Sequence, residues 1–166
     1  MSPRRTVWLA ALAALACATP AAISGTLPVP QDRNRPKPDL KVRVELAKER
    51  RPDGVRVRMR FRVINAGAGP AAPSTLGTWC LPDGNGTCGA LAGQYEQGPA
   101  VEPGATGVVR LATPAIPAGG AVVVMGPATR PWPDGDYTIR AVADVMGVVA
   151  ETIEMNNRGQ ARTRVP

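Results

Sequence analysis

The 166-residue sequence contains no histidine. Histidine is the side chain most often used as a general base near neutral pH, and it is also a common metal ligand. Its absence excludes Ser-His and Cys-His nucleophile pairs and every zinc site that needs an imidazole. Most familiar hydrolase mechanisms are therefore excluded, and we predict that the protein is not an enzyme.

Long apolar runs are also scarce. The apolar run at residues 7–16 has about ten residues, whereas a membrane-spanning helix needs roughly 20. Arg4 and Arg5 precede this run and small residues follow it, which is typical of an export signal. We therefore predict a signal peptide at residues 1–18 and a secreted, periplasmic or cell-surface location.

The end of the signal has two interpretations. Ala14-Leu15-Ala16 and Ala16-Cys17-Ala18 both fit the small-x-small cleavage pattern. Alternatively, residues 13–17 resemble a bacterial lipobox, and Cys17 would then carry lipid, which would be the protein's only contact with a membrane. Residues 19–37, rich in proline and alanine, are predicted to form an extended linker.

Glycine and proline are plentiful, with 18 of each, and they favour short strands joined by turns. The clearest pattern lies at residues 54–65, where apolar residues alternate with Arg56, Arg58, Arg60 and Arg62. A period of two predicts a β-strand with one buried face. Residues 40–46 alternate in the same way, and Pro52-Asp53-Gly54 marks a turn between the two strands.

Turn residues separate five further predicted strands, at residues 75–81, 106–113, 121–125, 136–145 and 160–165. About seven short strands at this spacing are typical of a two-sheet, immunoglobulin-like β-sandwich. The predicted fold is therefore a single all-β domain over residues 38–166.

Four pieces of the sequence point to a family. They are Pro38-Asp39-Leu40, the VINAG stretch at residues 63–67, the GDYTI stretch that opens residues 135–144, and ETIEMNN at residues 151–157. Together they resemble the cell-adhesion-related domain found in bacteria (CARDB), an immunoglobulin-like or fibronectin-type sandwich of exported bacterial proteins. The chain departs from the family in its long middle stretch, residues 66–104, which holds a cysteine pair.

The resemblance implies extracytoplasmic binding or adhesion, and the family has no well-defined common ligand or catalytic site to carry over. We therefore expect a non-catalytic binding or adhesion module whose partner is a protein or glycan of the cell envelope or extracellular space. The alternative is a structural or accessory domain that supports another envelope protein.

Cys80 and Cys88 flank seven residues that include a Pro-Asp-Gly turn signal. Export makes a disulfide the natural interpretation of this pair. Within the same turn, Asp83, Asn85 and Thr87 offer oxygen atoms at alternate positions, but the distal glutamate of a calcium loop is missing. We therefore predict an ordinary turn there.

The densest group of oxygen-bearing side chains comprises Asp144, Glu151, Glu154, Asn156 and Asn157. In an extended segment, Ile153 and Met155 would point inward while Glu154 and Asn156 pointed outward. The cluster would then cap the last turn through hydrogen bonds to backbone NH groups. The alternative is a divalent-cation site, with calcium as the ion; no other cofactor is expected.

Charge is distributed unevenly. Residues 31–62 hold twelve Lys and Arg against five Asp and Glu, whereas residues 63–166 hold six against eight. The arginines at 56, 58, 60 and 62 are therefore either a solvated face or a binding face for polyanions such as acidic glycans, anionic polymers or lipid headgroups. Nucleic acid is not expected, because export separates the protein from it and no aromatic residue interleaves with these arginines.

Of the few aromatic residues, Trp79 and Tyr137 fall in predicted strands and are expected in the core. Trp132 lies between two prolines. It is either an exposed ligand contact or a cover over the open end of the sandwich.

Overall fold

The computed structural model describes residues 35–83 and 106–166. The predicted signal peptide with Cys17, most of the linker, and Asn85, Thr87 and Cys88 lie outside the described residues. The described residues belong to one compact unit with seven strands and no helix, so none of them forms a helix that could cross a membrane. The all-β prediction is confirmed.

Two antiparallel sheets make up this unit, with strand orders β1-β2-β5 and β4-β3-β6-β7. Together they form the predicted sandwich. The strands are β1 (Leu40–Arg51), β2 (Gly54–Asn65), β3 (Ser74–Asp83), β4 (Thr106–Thr113), β5 (Ala121–Met125), β6 (Gly135–Val142) and β7 (Arg158–Val165).

Some predicted strand ends need correction. β1 continues beyond residue 46, because it stays paired with β2 until Arg51 lies opposite Gly54. β6 ends at Val142, before the predicted residue 145, since the chain turns at Asp144, where φ is +50°. Pro82 and Asp83, predicted as turn residues, belong to β3 and pair with β6.

The hairpin of β1 and β2 follows directly from the sequence pattern. Gly54 ends the two-residue turn with a φ of +130°, a conformation that favours glycine. On the inner face of β2, alternate apolar residues are buried: Val57, Met59, Phe61 and Val63. The intervening arginines lie on the outer face, as the period of two requires.

The core lies between the two sheets, where β2 packs against the inward residues of β6, namely Tyr137, Ile139 and Ala141. Trp132 is only 4% exposed and meets Tyr137 edge to face, with 4.7 Å between the ring centroids. The tyrosine hydroxyl donates a hydrogen bond to the Pro133 carbonyl oxygen at 2.8 Å. Trp132 therefore covers the core, and its interpretation as an exposed ligand contact is wrong.

Trp79 is buried as predicted but faces away from this core. It lies opposite Arg140, whereas its neighbours Thr78 and Cys80 lie opposite Ala141 and Ile139, which face inward. Because successive side chains on a strand alternate between faces, Trp79 belongs to the outer side of the four-stranded sheet. Its burial is as predicted, although it lies on the outer face of this sheet and not between the two sheets.

The two sheets also meet along one edge, where β1 and β7 lie side by side. At Gly159 of β7 there is no room for a side chain, because the Val42 carbonyl oxygen of β1 occupies the position of its Cβ. Further along, the Lys48 Nζ donates a hydrogen bond to the Arg164 carbonyl oxygen at 3.2 Å. We call this edge the β1–β7 seam; it places basic residues of β1 beside those of β7.

Candidate functional site

Asn65, at the end of β2, is fully buried and forms hydrogen bonds through both ends of its amide. Its Oδ1 accepts from the backbone NH groups of Asp39 and Gly67, each at 3.1 Å. Its Nδ2 donates to three carbonyl oxygens, those of Gly69 (2.8 Å), Ile116 (3.1 Å) and Pro117 (3.2 Å). Asn65 thus ties the chain before β1 to two later loops.

The segment before β7, residues 151–156, also forms hydrogen bonds with residues 38–40, the chain that leads into β1. Glu151 Oε2 accepts a hydrogen bond from the Leu40 NH at 2.6 Å. The Thr152 NH and hydroxyl both donate to the Pro38 carbonyl oxygen, at 2.9 and 3.2 Å. Asn156 Nδ2 donates to Asp39 Oδ1 at 2.8 Å.

Together these contacts form a polar clasp, which we define as Asp39, Asn65, Glu151, Thr152 and Asn156. Three of the four pieces that resemble CARDB therefore meet at one place, namely residues 38–40, 63–67 and 151–157. Each buried polar group must find a partner to avoid a desolvation cost. The resemblance thus rests largely on residues that hold the fold together.

Two further members of the predicted oxygen cluster cap turns. The carboxylate oxygens of Asp144 accept hydrogen bonds from the NH groups of Val148 and Val149, at 3.2 and 2.7 Å. Glu154 Oε1 accepts from the Glu151 NH at 2.9 Å. These are the hydrogen bonds to backbone NH groups that the sequence suggested.

The orientation predicted for this segment is wrong. Ile153 and Met155 are 50% and 87% exposed, whereas Asn156 is partly buried. The segment forms bends and turns between β6 and β7, so the alternation of an extended strand does not apply to it. Asn156 consequently turns inward to Asp39.

The same cluster was the alternative site for calcium. In the described ranges, no group of three or more His, Cys, Asp or Glu side chains is placed to hold a metal ion. Glu151 Oε1 and Asn156 Oδ1 are buried without a hydrogen-bond partner, but the carboxylates of Asp144 and Glu154 already accept from backbone NH groups. Calcium binding here stays the alternative to the capping role, and the hydrogen bonds that Asp144 and Glu154 already accept argue against it.

Glu151 is also unusual in its protonation. Burial raises the pKa of its carboxyl group above the ordinary value of 4.5, and the nearby Glu154 and Asp144 carboxylates raise this pKa further. The hydrogen bonds from the Leu40 NH and the Asn157 side chain oppose these effects. The charged form of Glu151 is thus kept in the clasp at an energetic cost.

The arginines predicted as a polyanion site, which we call the β2 arginine row, line the outer face of the three-stranded sheet. Arg58, Arg60 and Arg62 are exposed and Arg56 is partly buried. Three of the four have acidic partners: Arg56 with Asp53 (2.6 Å), Arg58 with Glu49 (2.8 Å) and Arg60 with Glu45 (3.7 Å). The hydrogen bond from Arg56 also lowers the pKa of Asp53.

Arg62 differs from the rest of the row, since it has no ion pair within the described residues. Its cross-strand neighbours are Arg43 on β1 and Val123 on β5. Val123 and Met125 are 46% and 57% exposed. At this end of the row, Arg62 and Arg43 lie side by side beside a small apolar strip, and neither has an acidic partner among the described residues.

A second set of arginines was missed by the sequence analysis. Arg158, Arg162 and Arg164 are exposed on β7, and none forms an ion pair in the part of the chain that the structure describes. We call them the β7 arginine row. The summed charge over residues 63–166 is slightly negative and gave no sign of this row. Arg158, Gln160, Arg162 and Arg164 nevertheless occupy alternate positions, which is the period of one face of a strand.

The predicted disulfide involves one described residue. Cys80 is fully buried in β3 and belongs to the inter-sheet core. Cys88 lies outside the described residues, so the pairing stays a prediction.

The arrangement as a whole defines a single antiparallel β-sandwich module with basic outer faces. No protein-family model matches the chain, and no curated protein matches it either. Among solved structures, it is similar to the crystal structure of the CARDB domain of the PF1109 protein in complex with di-metal ions, from Pyrococcus furiosus. The TM-score is 0.52 at 16% identity, and the match covers 78% of this chain and 94% of that one.

A solution NMR structure of the same Pyrococcus furiosus domain also matches, with a TM-score of 0.48, 19% identity, and coverage of 78% of this chain and 95% of that one. At these identities, the crystal-structure match shows that the two chains share a fold. The CARDB-type sandwich predicted from four short stretches is confirmed at that level.

Proposed function

We propose that the protein is an exported, non-catalytic module that binds anionic polymers of the cell envelope or extracellular space. The observation that carries this proposal is the β2 arginine row on the outer face of the three-stranded sheet. Its last member, Arg62, lies beside Arg43 of β1, and neither has an acidic partner within residues 35–83 and 106–166. The fold shared with a CARDB domain supports a binding module.

The non-catalytic part of the proposal has two supports. CARDB is a non-enzymatic domain family. The chain also lacks histidine, and the most buried carboxylates in the described ranges, those of Asp144 and Glu151, accept hydrogen bonds from backbone NH groups. Such carboxylates serve structure rather than proton transfer to a substrate.

The outer face of the three-stranded sheet, which carries the β2 arginine row, suits an anionic ligand. Same-face side chains on a strand are about 6.8 Å apart, so successive arginines present forked donors at regular intervals. Exposed ion pairs such as Arg58–Glu49 contribute only about 0–1 kcal/mol. A carboxylate or phosphate of the ligand can therefore replace an internal partner at little cost.

An accessory role is the second candidate. Val123 and Met125 are exposed beside the arginines, and a mixed apolar and basic surface of this kind also suits contact with another envelope protein. In that case, the module would depend on a protein partner and would show no affinity for an anionic polymer alone.

Retention of the full chain on immobilised polygalacturonate tests the polymer proposal. We expect the chain to bind at low salt, and the variant with Arg56, Arg58, Arg60 and Arg62 all changed to glutamine to bind about threefold more weakly or worse. Neutral dextran is the control matrix. Equal retention of the two chains would show that the β2 arginine row does not bind the polymer.

Export is tested separately. The mass of the mature N-terminus, measured on protein from the producing cell, gives the cleavage site and any lipid on Cys17. An intact leader on the bulk of the protein would contradict the proposed location.

A further inference from the structure

The β7 arginine row forms a straight basic strip. Arg158, Gln160, Arg162 and Arg164 share the exposed face of the strand, and the first and last of them are six residues apart. At about 3.4 Å per residue, the strip is about 20 Å long. It therefore presents several contacts in line to an extended ligand.

Within the described residues, the neighbours of this strip on β6 carry little negative charge. The cross-strand neighbours of Arg158 and Arg162 on β6 are Val142 and Thr138. Among the cross-strand neighbours in the described part of the chain, only that of Arg164 is acidic, Asp136, and the two do not form an ion pair. The guanidinium groups of β7 can accordingly bind an anion without giving up an internal partner, unlike most of the β2 arginine row.

The β1–β7 seam adds a further cation. Lys48 of β1 reaches the backbone of β7, where its Nζ lies 3.2 Å from the Arg164 carbonyl oxygen. The strip thus ends in a pair of basic residues from two different strands, Lys48 and Arg164.

Two shallow cavities flank the strip. One, of about 460 Å³, is lined by Asp136, Tyr137, Arg162, Thr163 and Arg164. The other, of about 300 Å³, lies at the opposite end, where Arg158 and Gln160 meet the apolar side chains of Trp79 and Val142. Each combines an arginine with polar and apolar groups, which is the mixture that a charged sugar unit requires.

We propose that the β7 arginine row is a second anion-binding surface and that its ligand is a linear acidic polysaccharide of the uronate type. The arginines bind the carboxylates, and the side-chain NH2 of the intervening Gln160, whose Oε1 accepts a hydrogen bond from Arg140 Nε at 3.2 Å, donates to hydroxyl groups. The ligand class rests on the proposed function; the location of the surface on β7 is the new element.

Other anionic ligands fit this face less well. In the described residues, the exposed large hydrophobic side chains are all aliphatic or methionine, and none lies on β6 or β7: Val123, Met125, Met146, Val148, Ile153 and Met155. The β7 face therefore has no apolar anchor for a bilayer. It also has no exposed aromatic platform on which the bases of a nucleic acid would stack.

The test compares two triple variants of the full chain with equal loss of charge. One carries Arg158→Gln, Arg162→Gln and Arg164→Gln, and the matched control carries Arg58→Gln, Arg60→Gln and Arg62→Gln. With polygalacturonate as the titrant, we expect the β7 variant to bind about tenfold more weakly than the wild type and the β2 variant about threefold more weakly. Thermal melting checks that both variants are folded, and Arg162→Gln alone replaces the triple variant if it is not.

The outcomes separate the two proposals. Equal weakening in both variants would mean that only net charge matters, and would overturn the β7 surface. Weakening confined to the β2 variant would also overturn it, while leaving the proposed function in place. A wild-type chain that binds no polygalacturonate at all would overturn the proposed function itself.

Discussion

Replacing Asn65 with alanine is the sharpest test of the polar clasp. The substitution removes the acceptor for two backbone NH groups, at Asp39 and Gly67, and the donor for three carbonyl oxygens. With about 1 kcal/mol for each lost hydrogen bond and more for a buried donor left unpaired, we expect a loss of about 3–5 kcal/mol. That is a large part of the roughly 5–15 kcal/mol by which a typical domain is stable.

The assay is urea unfolding of the full chain, followed by tryptophan fluorescence and circular dichroism. Asn65→Asp is an informative companion because it keeps the size of the side chain but turns a carboxylate oxygen towards three carbonyl oxygens. It should destabilise at least as strongly. Gln160→Ala, which removes an exposed amide, should change stability by less than about 0.5 kcal/mol. A loss below about 1 kcal/mol for Asn65→Ala would refute the central role of this residue.

Two further predictions concern the same end of the sandwich. Burial raises the pKa of Glu151 above 4.5 in the folded state, so the folded state binds this proton more tightly than the unfolded chain does. The resulting contribution to the free energy of unfolding is complete below pH 4.5 and is lost as pH rises through the folded-state pKa. Glu151→Gln mimics the neutral form and should therefore melt at a higher temperature than the wild type at pH 7. The difference in melting temperature should narrow as pH falls towards 4.5. A difference that does not change with pH would contradict this reasoning. Millimolar calcium should leave the wild-type melting midpoint unchanged, because the Asp144 and Glu154 carboxylates already bind backbone NH groups; a clear rise would instead support the cation site.

Local patterns predicted most of the strands. The alternation in β2 and the Pro-Asp-Gly turn before it depend only on neighbouring residues, so their structural meaning can be inferred directly from the sequence. The same holds for the outward direction of the arginines at 58, 60 and 62. Predicted and observed bounds agree for β2, β4 and β5.

Long-range partners could not be inferred in this way. Asn65 and Asp39 are 26 positions apart and Leu40 and Glu151 are 111 apart, and no local pattern reveals such pairs. The sequence predicted that Trp79 is buried but not which face it lies on, because both faces of β3 bury apolar groups.

The charge distribution shows a similar limit. A sum over residues 63–166 is slightly negative, yet three of its six basic residues share one face of β7, while Asp144, Glu151 and Glu154 lie in the connection before that strand. Strand pairing separates in space the charges that a sum along the chain combines. The β7 arginine row became visible only when the strands were placed.

Titration of the wild-type chain with polygalacturonate at low and at physiological salt tests the account most directly. We expect saturable binding at low salt that weakens strongly as salt is added, because the contacts involve exposed charges. Affinity that is absent at low salt, or that is the same for neutral dextran, would contradict the claim that basic sheet faces carry the function.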